Sequence, residues 1–459
     1  VPASATNTLR VAVLADSDTR WKWGALTARR LAPEGADLRL DGFLLRGRAT
    51  PTARQLREVG VSPDSLREVT GLEFLRAMKE DTKEDTNDDT TQQPYDVVLL
   101  SLVGGGVQAI LHGLRRAWAG RRKRPVVVTG YVGVVYEKLA DGLLLRHGAD
   151  LVLANSRQDA DRFRAVYEGV GADASSVTEV ALPFLGGRPY AGAEDPYTVV
   201  FAVQPSVPDN RGDRTYLLNR LVQHARRHPE REVLLKLRSK PGEHTTHIEE
   251  LPYQKLAEKL PGGLPANFRL AYGNMGEVLD TTDLLVTVSS TAALESLHRR
   301  IPTVVLTDLG IRETLGNHHF VGSGCLASWD QLDAGYEPVP DPEWVARQGV
   351  VAGGTSRTQS GGGSYGAAFD AARDRIAKLI AADRLPPLEP YYTPVTAPGY
   401  LPGILARHHL GPDGDPLPGA PAADRQAGPV RQIVRRAARG AYRHGVQRVA
   451  PVIRRMGEL

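Results

Sequence analysis

The 459-residue sequence predicts an α/β protein of two doubly wound, Rossmann-like domains followed by a basic helical tail. Three observations predict it. Short apolar runs of strand length alternate with helical patterns from Leu9 onward. The Gly/Pro-rich stretch Leu182 to Pro196 interrupts the alternation, which then starts again. The chain closes on a segment in which arginines recur every four residues. The first domain is accordingly drawn at 8–186, the second at 195–385, and a Pro/Gly-rich linker with the tail at 386–459.

Leu9 to Ala15 (LRVAVLA) reads as a buried strand that ends in Asp16-Ser17-Asp18, ahead of Trp21, Trp23 and a helical pattern through Arg30. Carboxylates at the end of a first strand stand where α/β sheets hold ligands, so Asp16 and Asp18 are candidate catalytic residues. Helix capping is the alternative. Trp21 and Trp23 in the same loop, and Tyr131 further on, are expected to contact an acceptor. Asp41 to Leu45 is a strand and Ser65 to Met78 a helix. Lys79 to Gln93 (KEDTKEDTNDDTTQQ) has no apolar residue and is expected to be a disordered acidic insert. Asp96 to Leu102 resumes the sheet and runs into the turn Gly104-Gly105-Gly106. Strands follow at Pro125 to Thr129, after the basic cluster Arg121 to Arg124, and at Ala149 to Ala154, with a helix around Tyr136 to Arg146.

In the second half, Thr198 to Val203 is a strand ending at Gln204-Pro205-Ser206, Tyr216 to Arg227 a helix, Glu232 to Leu237 a strand and Ile248 to Lys259 partly helical. Phe268 to Ala271 is a strand and Met275 to Leu279 a short helix. Asp283 to Asp308 (DLLVTVSSTAALESLHRRIPTVVLTD) is a strand-turn-helix-strand unit. After it come Asn317-His318-His319-Phe320, a Gly-rich stretch at Gly353 to Gly366 and the helix Ala367 to Ala382. Tyr391 to Gly403 reads as extended and Gly411 to Gly428 as disordered. In the tail, Arg431, Arg435, Arg439 and Arg443 share one face of a helix and Val434, Ala437, Ala438 and Ala441 the other, a pattern suited to an anionic membrane surface or to packing on the protein itself.

Composition narrows the function classes. A net charge of +4 and 6% aromatic residues do not indicate a nucleic-acid partner. The single cysteine, Cys325, excludes internal disulfides and cysteine-rich metal sites. No apolar run reaches membrane-spanning length, and the first residues (VPASATNTLR) lack a signal-peptide core. A cytoplasmic enzyme, peripheral at the inner membrane face through its tail, is expected.

The chemistry concentrates in the second domain. Ser289-Ser290-Thr291 offer more hydroxyls than a helix cap requires, beside helix amides that can receive a phosphate. Lys236, Arg238, Ser239 and Lys240 (KLRSKPGE) end a strand of the same sheet and could neutralise a nucleotide phosphate as it leaves. Gln204, Tyr272 and Gly273, at the ends of neighbouring strands, are candidates for the nucleotide. Glu295 is a candidate for ribose hydroxyls, and His318 for the acceptor.

Lys236 to Pro241 followed by Val286 to Leu306 resembles the carboxyl-terminal half of bacterial capsule-type transferases: polysialyltransferases, the Kdo transferases of capsule assembly and, more distantly, CDP-glycerol glycerophosphotransferases. The layout is also similar to an uncharacterised group of actinobacterial glycosyltransferases. The resemblance implies the two-domain GT-B architecture. In those families a Lys-Leu-His-Pro turn and a Ser-Ser-Thr turn flank a cytidine nucleotide; here Arg238-Ser239-Lys240-Pro241 replaces His-Pro, so cations must take the histidine's part. The resemblance further implies a catalytic base from the first domain, Asp18 ahead of Asp16. The expected activity is metal- and cofactor-free transfer of a CMP-linked nonulosonate or Kdo-type sugar to a cell-envelope glycan or lipid-linked acceptor, with the nucleotide sugar as co-substrate. A CDP-glycerol-type glycerophosphotransferase and a catalytically silent scaffold at the membrane are the alternatives.

Overall fold

The computed structural model describes residues 8–81 except 34 and 48, then 94–134, 138–240, 243, 249, 251–350 and 365–420. These residues divide into two units, 8–184 with 365–420 and 185–350.

The first unit alternates β1 (Thr8–Ala15), α1 (Asp18–Leu31), β2 (Asp37–Leu45), α2 (Ala53–Val59), β3 (Ser65–Val69), α3 (Gly71–Asp81), β4 (Val97–Ser101), α4 (Gly104–Ala117), β5 (Val126–Gly130), α5 (Leu139–Leu144), β6 (Leu151–Ala154), α6 (Arg157–Gly169) and β7 (Val177–Glu179). All seven strands are parallel, in the order β3-β2-β1-β4-β5-β6-β7. The central strands β4, β5 and β6 are buried along their whole length, as expected of a sheet covered on both faces by helices.

The second unit repeats the scheme with β8 (Thr198–Ala202), α7 (Arg211–Arg227), β9 (Glu232–Lys236), α8 (Tyr253–Ala257), β10 (Phe268–Ala271), α9 (Met275–Leu279), β11 (Leu284–Thr287), α10 (Ala292–His298), β12 (Thr303–Leu306), β13 (Leu326–Ala327), α11 (Trp329–Asp333) and α12 (Pro342–Arg347). Its parallel sheet runs β10-β9-β8-β11-β12-β13. Two doubly wound domains of this kind are the pair from which the GT-B architecture is built. In each, the winding direction reverses beside the first strand, between β1 and β4 and between β8 and β11. Those are the points where open α/β sheets leave a crevice beyond their carboxyl ends.

The chain differs from expectation at three places. Ser65 to Met78 is not one helix: Ser65–Val69 extends the sheet beside β2, Arg67 lies over the Phe43 ring at 4.7 Å, and the helix begins only at Gly71. Gly104-Gly105-Gly106 is not a loose turn but the first turn of α4, where a Cβ on Gly104 would come within 2.9 Å of Leu145. Residues 365–385 close the first unit rather than the second. There α13 (Asp370–Ala381) packs on β7 and β5, and the Arg373 guanidinium donates to the Arg30 carbonyl at 2.9 Å.

The stretch read as extended and disordered continues that return. It carries α14 (Leu401–Ala406) against α4, and Leu388, Leu401, Ile404, Leu405 and Leu410 join the first core. Their burial is the physical reason: five apolar side chains supply what a Pro-rich linker would lack. Most of the acidic insert, the Gly-rich stretch, Tyr136, Pro241 and the basic tail lie outside the described residues. Among the described residues no helix is long and apolar enough to cross a membrane.

Candidate functional site

At the switch point of the first sheet, the loop after β1 is tied to the loop after β4. Asp16 Oδ2 accepts the Val103 amide at 3.0 Å and Oδ1 accepts Arg20 Nη1 at 2.9 Å. Ser17 caps α1 by accepting the Arg20 amide, so Asp18 opens the helix, half-buried. An N-terminal carboxylate there is stabilised by the helix dipole. Trp21 and Trp23 are not loop residues: both lie in α1, 1% and 0% exposed, and Trp23 Nε1 donates to Asn155 Oδ1 at 3.3 Å. Full burial withdraws them from any acceptor. They set the packing of α1 instead.

Tyr131, half-buried beyond β5, lies against Arg146, whose guanidinium is 3.9 Å from the ring centre; burial raises the phenol pKa. Arg146 donates to the carbonyls of Gly130, Gly142 and Leu102 at 3.0, 2.7 and 3.3 Å, holding the loops after β4 and β5 from inside. His408, from the returning segment, is lowered by burial while the nearby Asp16 charge opposes the shift. Neither Arg146 nor His408 was expected. A lone Arg at a helix end and a His in a Pro-rich stretch carry no sequence signal for these positions.

The second switch point is built the same way. Gln204 Oε1, after β8, accepts the Ser289 amide at 3.1 Å, after β11. The Ser289 hydroxyl, 2% exposed, donates to the Leu315 carbonyl at 2.5 Å. Ser290 Oγ accepts the Ala292 amide, the first of α10, at 3.2 Å, while its own amide donates to Thr287 Oγ1 at 3.1 Å. Ala293 and Leu294 donate to the carbonyls of Ser290 and Thr291, both at 3.0 Å. Two of the three hydroxyls and the first helix amides are therefore engaged within the protein, against expectation. The Thr291 amide and hydroxyl, half-buried, have no partner among the described residues.

Two strands away, Lys236 is buried in β9 with Nζ donating to the Leu237 carbonyl at 2.9 Å. Arg238 is half-buried and Lys240 exposed, its Nζ 5.7 Å from the centre of the Tyr272 ring. Gln254 joins the two turns by donating to the Ser239 carbonyl at 2.9 Å and the Tyr272 hydroxyl at 3.1 Å. Gly273 has φ +100°, a left-handed backbone, with open space where a Cβ would be. Glu295 is buried one turn into α10. His318 is exposed in the second unit, whereas the other acceptor candidates belong to the first.

A residue that sequence reading missed organises this edge. Arg214, 1% exposed in α7, donates to the carbonyls of Pro205 and Pro208, both at 3.0 Å, and to Glu249 Oε1 at 2.6 Å. Burial raises the Glu249 carboxyl pKa, and the charge of Arg214 opposes that. The pair fixes the Gln204-Pro205 loop at the switch point.

Among the described residues, His224, His228 and Asp333 lie close enough together to hold a metal ion. Asp333 is already an acceptor for Arg220, His224 and Arg227, and two guanidiniums on the one carboxylate disfavour a cation there.

The family model described as "Putative glycosyltransferase (DUF6716)" matches residues 11–360. No curated protein matches the chain. Among solved structures, it is similar to UDP-GlcNAc 2-epimerase from Methanocaldococcus jannaschii, at 10% identity and TM-score 0.45 over 80% of this chain and 99% of that one. It is similar to UDP-N-acetylglucosamine 2-epimerase from Rickettsia bellii at 13% identity and TM-score 0.44, over 81% and 96%. The glycotransferase of kitacinnamycin matches at 14% identity and TM-score 0.43, over 81% and 99%. Likenesses this distant carry no conclusion about donor or acceptor. The family match spans most of both units, and the chain belongs to this glycosyltransferase family.

Proposed function

We propose that the chain transfers a sugar, CMP-linked by preference and of the nonulosonate or Kdo type, from a nucleotide donor to a cell-envelope glycan or lipid-linked acceptor. The observation that carries the reading is the switch point of the second sheet. The Thr291 amide and hydroxyl have no partner there among the described residues, and Arg238 and Lys240 follow β9, on the far side of β8. A nucleotide phosphate gains charge as its bond to the sugar breaks, and fixed donors and cations at that oxygen favour the transition state. Tyr272 and Gly273 serve the nucleoside, and Glu295, Gln204 and Ser289 hold the turn that receives the phosphate. Arg238 and Lys240 take the role a metal would otherwise fill, so the reaction needs neither metal nor cofactor. In the first unit Asp18 acts as general base on the acceptor hydroxyl. Asp16, with both oxygens already accepting hydrogen bonds, orients the loop. The enzyme works in the cytoplasm, at the inner face of the membrane.

The test is nucleotide release from CMP-, CDP-, UDP- and GDP-linked donors with envelope acceptors. Fastest release from a CMP-sugar supports the reading, and preference for a UDP- or GDP-sugar sinks the cytidine assignment. Asp18→Asn should abolish turnover while nucleotide still binds. A wild type inert with every donor would leave a scaffold.

A further inference from the structure

The amino edge of the first sheet, opposite the crevice at Asp16, carries a cavity of about 240 Å³ that the proposed reaction does not use. It lies where α4 ends and β5 begins, and the returning segment forms its other wall. Five arginines line it: Arg115, Arg121, Arg122, Arg124 and Arg384, above the buried Trp118. The walls are fixed from parts of the chain far apart in sequence. Arg124 forms a two-pronged pair with Asp150 at 2.7 and 3.0 Å and also donates to the Pro386 carbonyl at 2.7 Å, while the Leu385 amide donates to the Arg122 carbonyl at 3.1 Å. Arg121 donates to the Lys79 carbonyl at 3.2 Å.

Of the five, Arg115, Arg122 and Arg384 are exposed and have no carboxylate partner among the described residues. Like charges gathered on one rim repel one another unless an anion neutralises them. The guanidinium fork matches the oxygens of a phosphate. A cavity below the roughly 300–1,000 Å³ typical of sites for drug-sized ligands suits a phosphate or pyrophosphate group better than a whole nucleotide.

The geometry points to a second anion site: the Arg115, Arg122 and Arg384 rim over Trp118 binds the phosphate of a phosphorylated ligand, on the edge of the first unit away from its switch point. The phosphate can belong to an anionic lipid headgroup or to a soluble phosphorylated metabolite. Calorimetric titration of the full chain with inorganic pyrophosphate, paired with co-sedimentation on phosphatidylcholine vesicles with and without phosphatidylglycerol, separates the two. Arg122→Glu with Arg384→Glu should remove one equivalent of pyrophosphate or weaken it at least about tenfold, and Arg122→Lys with Arg384→Lys should retain part of it. Arg162→Glu with Arg347→Glu, the same charge change at exposed positions outside the cavity, should leave it intact. If the reversal at the rim also reduces binding to phosphatidylglycerol vesicles, the lipid headgroup is the source. If only the pyrophosphate equivalent is lost, the source is soluble. Unchanged pyrophosphate stoichiometry and affinity, or an equal loss in the control pair, overturns the site.

Discussion

Ser290 and Thr291 are adjacent hydroxyls with opposite uses, and substitution separates them. The Ser290 hydroxyl accepts the first amide of α10, so Ser290→Ala should cost about 0.5–1.5 kcal/mol of stability, read as a lowered thermal midpoint. The Thr291 hydroxyl has no partner among the described residues, so Thr291→Val should leave the stability within about 0.5 kcal/mol of wild type. If its hydroxyl meets the charged phosphate, the same change should lower kcat/KM for the donor by roughly ten- to a hundredfold, the value of a hydrogen bond of about 1.5–3 kcal/mol to a charged group. Equal stability loss in both variants would reverse these assignments. Sequence reading found the turn because three consecutive hydroxyls after an apolar run stand out. It could not tell which hydroxyl is engaged, because that depends on Gln204 and Leu315, distant in sequence. Arg214 was illegible for the same reason. Nothing in an arginine on an amphipathic helix announces a buried ion pair, yet Arg214→Met should destabilise the fold by about 3–5 kcal/mol by stranding Glu249, and adding Glu249→Gln should restore much of it. Urea unfolding of the two variants measures both.

At the scale of elements, the strands were legible wherever burial makes them continuously apolar, as in β4, β5, β8 and β11. An edge strand such as β3, with Leu66, Arg67 and Glu68 exposed, lacks that pattern, and helical periodicity absorbed it. The returning segment was misread for a different reason: a high Pro and Gly content suggests a linker, and only the three-dimensional core shows what its scattered leucines cover. Leu401 and Leu405 are 0% exposed, and the Tyr392 carbonyl lies 3.0 Å from His112 Nε2. Ending the chain before Tyr365 should therefore uncover α4 and β7 and abolish cooperative unfolding of the first unit, as followed by hydrogen exchange in β5 and β6. A truncated protein whose β5 and β6 amides stay as protected as in the full chain would show that the return is dispensable.

For the whole molecule, the two units share one strand order up to the sixth strand, 3-2-1-4-5-6, and each ties its first strand's loop to its fourth's, through Asp16 and Val103 in one and Gln204 and Ser289 in the other. Both should also lose stability in acid. Burial lowers His112 and His408 in the first unit and His224 in the second, against the opposing pull of the Tyr392 carbonyl, the Asp16 charge and the Asp333 hydrogen bond respectively. Each imidazole is thus harder to protonate in the folded chain than in the unfolded one, where its pKa returns to about 6.5. Below that pH the unfolded state binds more protons, so stability is fully present above about pH 6.5 and is lost as the pH falls. Asp96 and Glu249, raised by burial, work in the opposite sense as the pH rises past the ordinary carboxylate range, so the histidine contribution must be isolated by substitution. Thermal midpoints should hold steady from about pH 8 to 6.5 and decline below it, by about 2–4 °C for each kcal/mol lost. His112→Gln should lessen the decline in the first unit, where His408 still contributes, and leave that of the second, to which His224 belongs. A decline of the same slope in His112→Gln and wild type would assign the acid sensitivity to other groups.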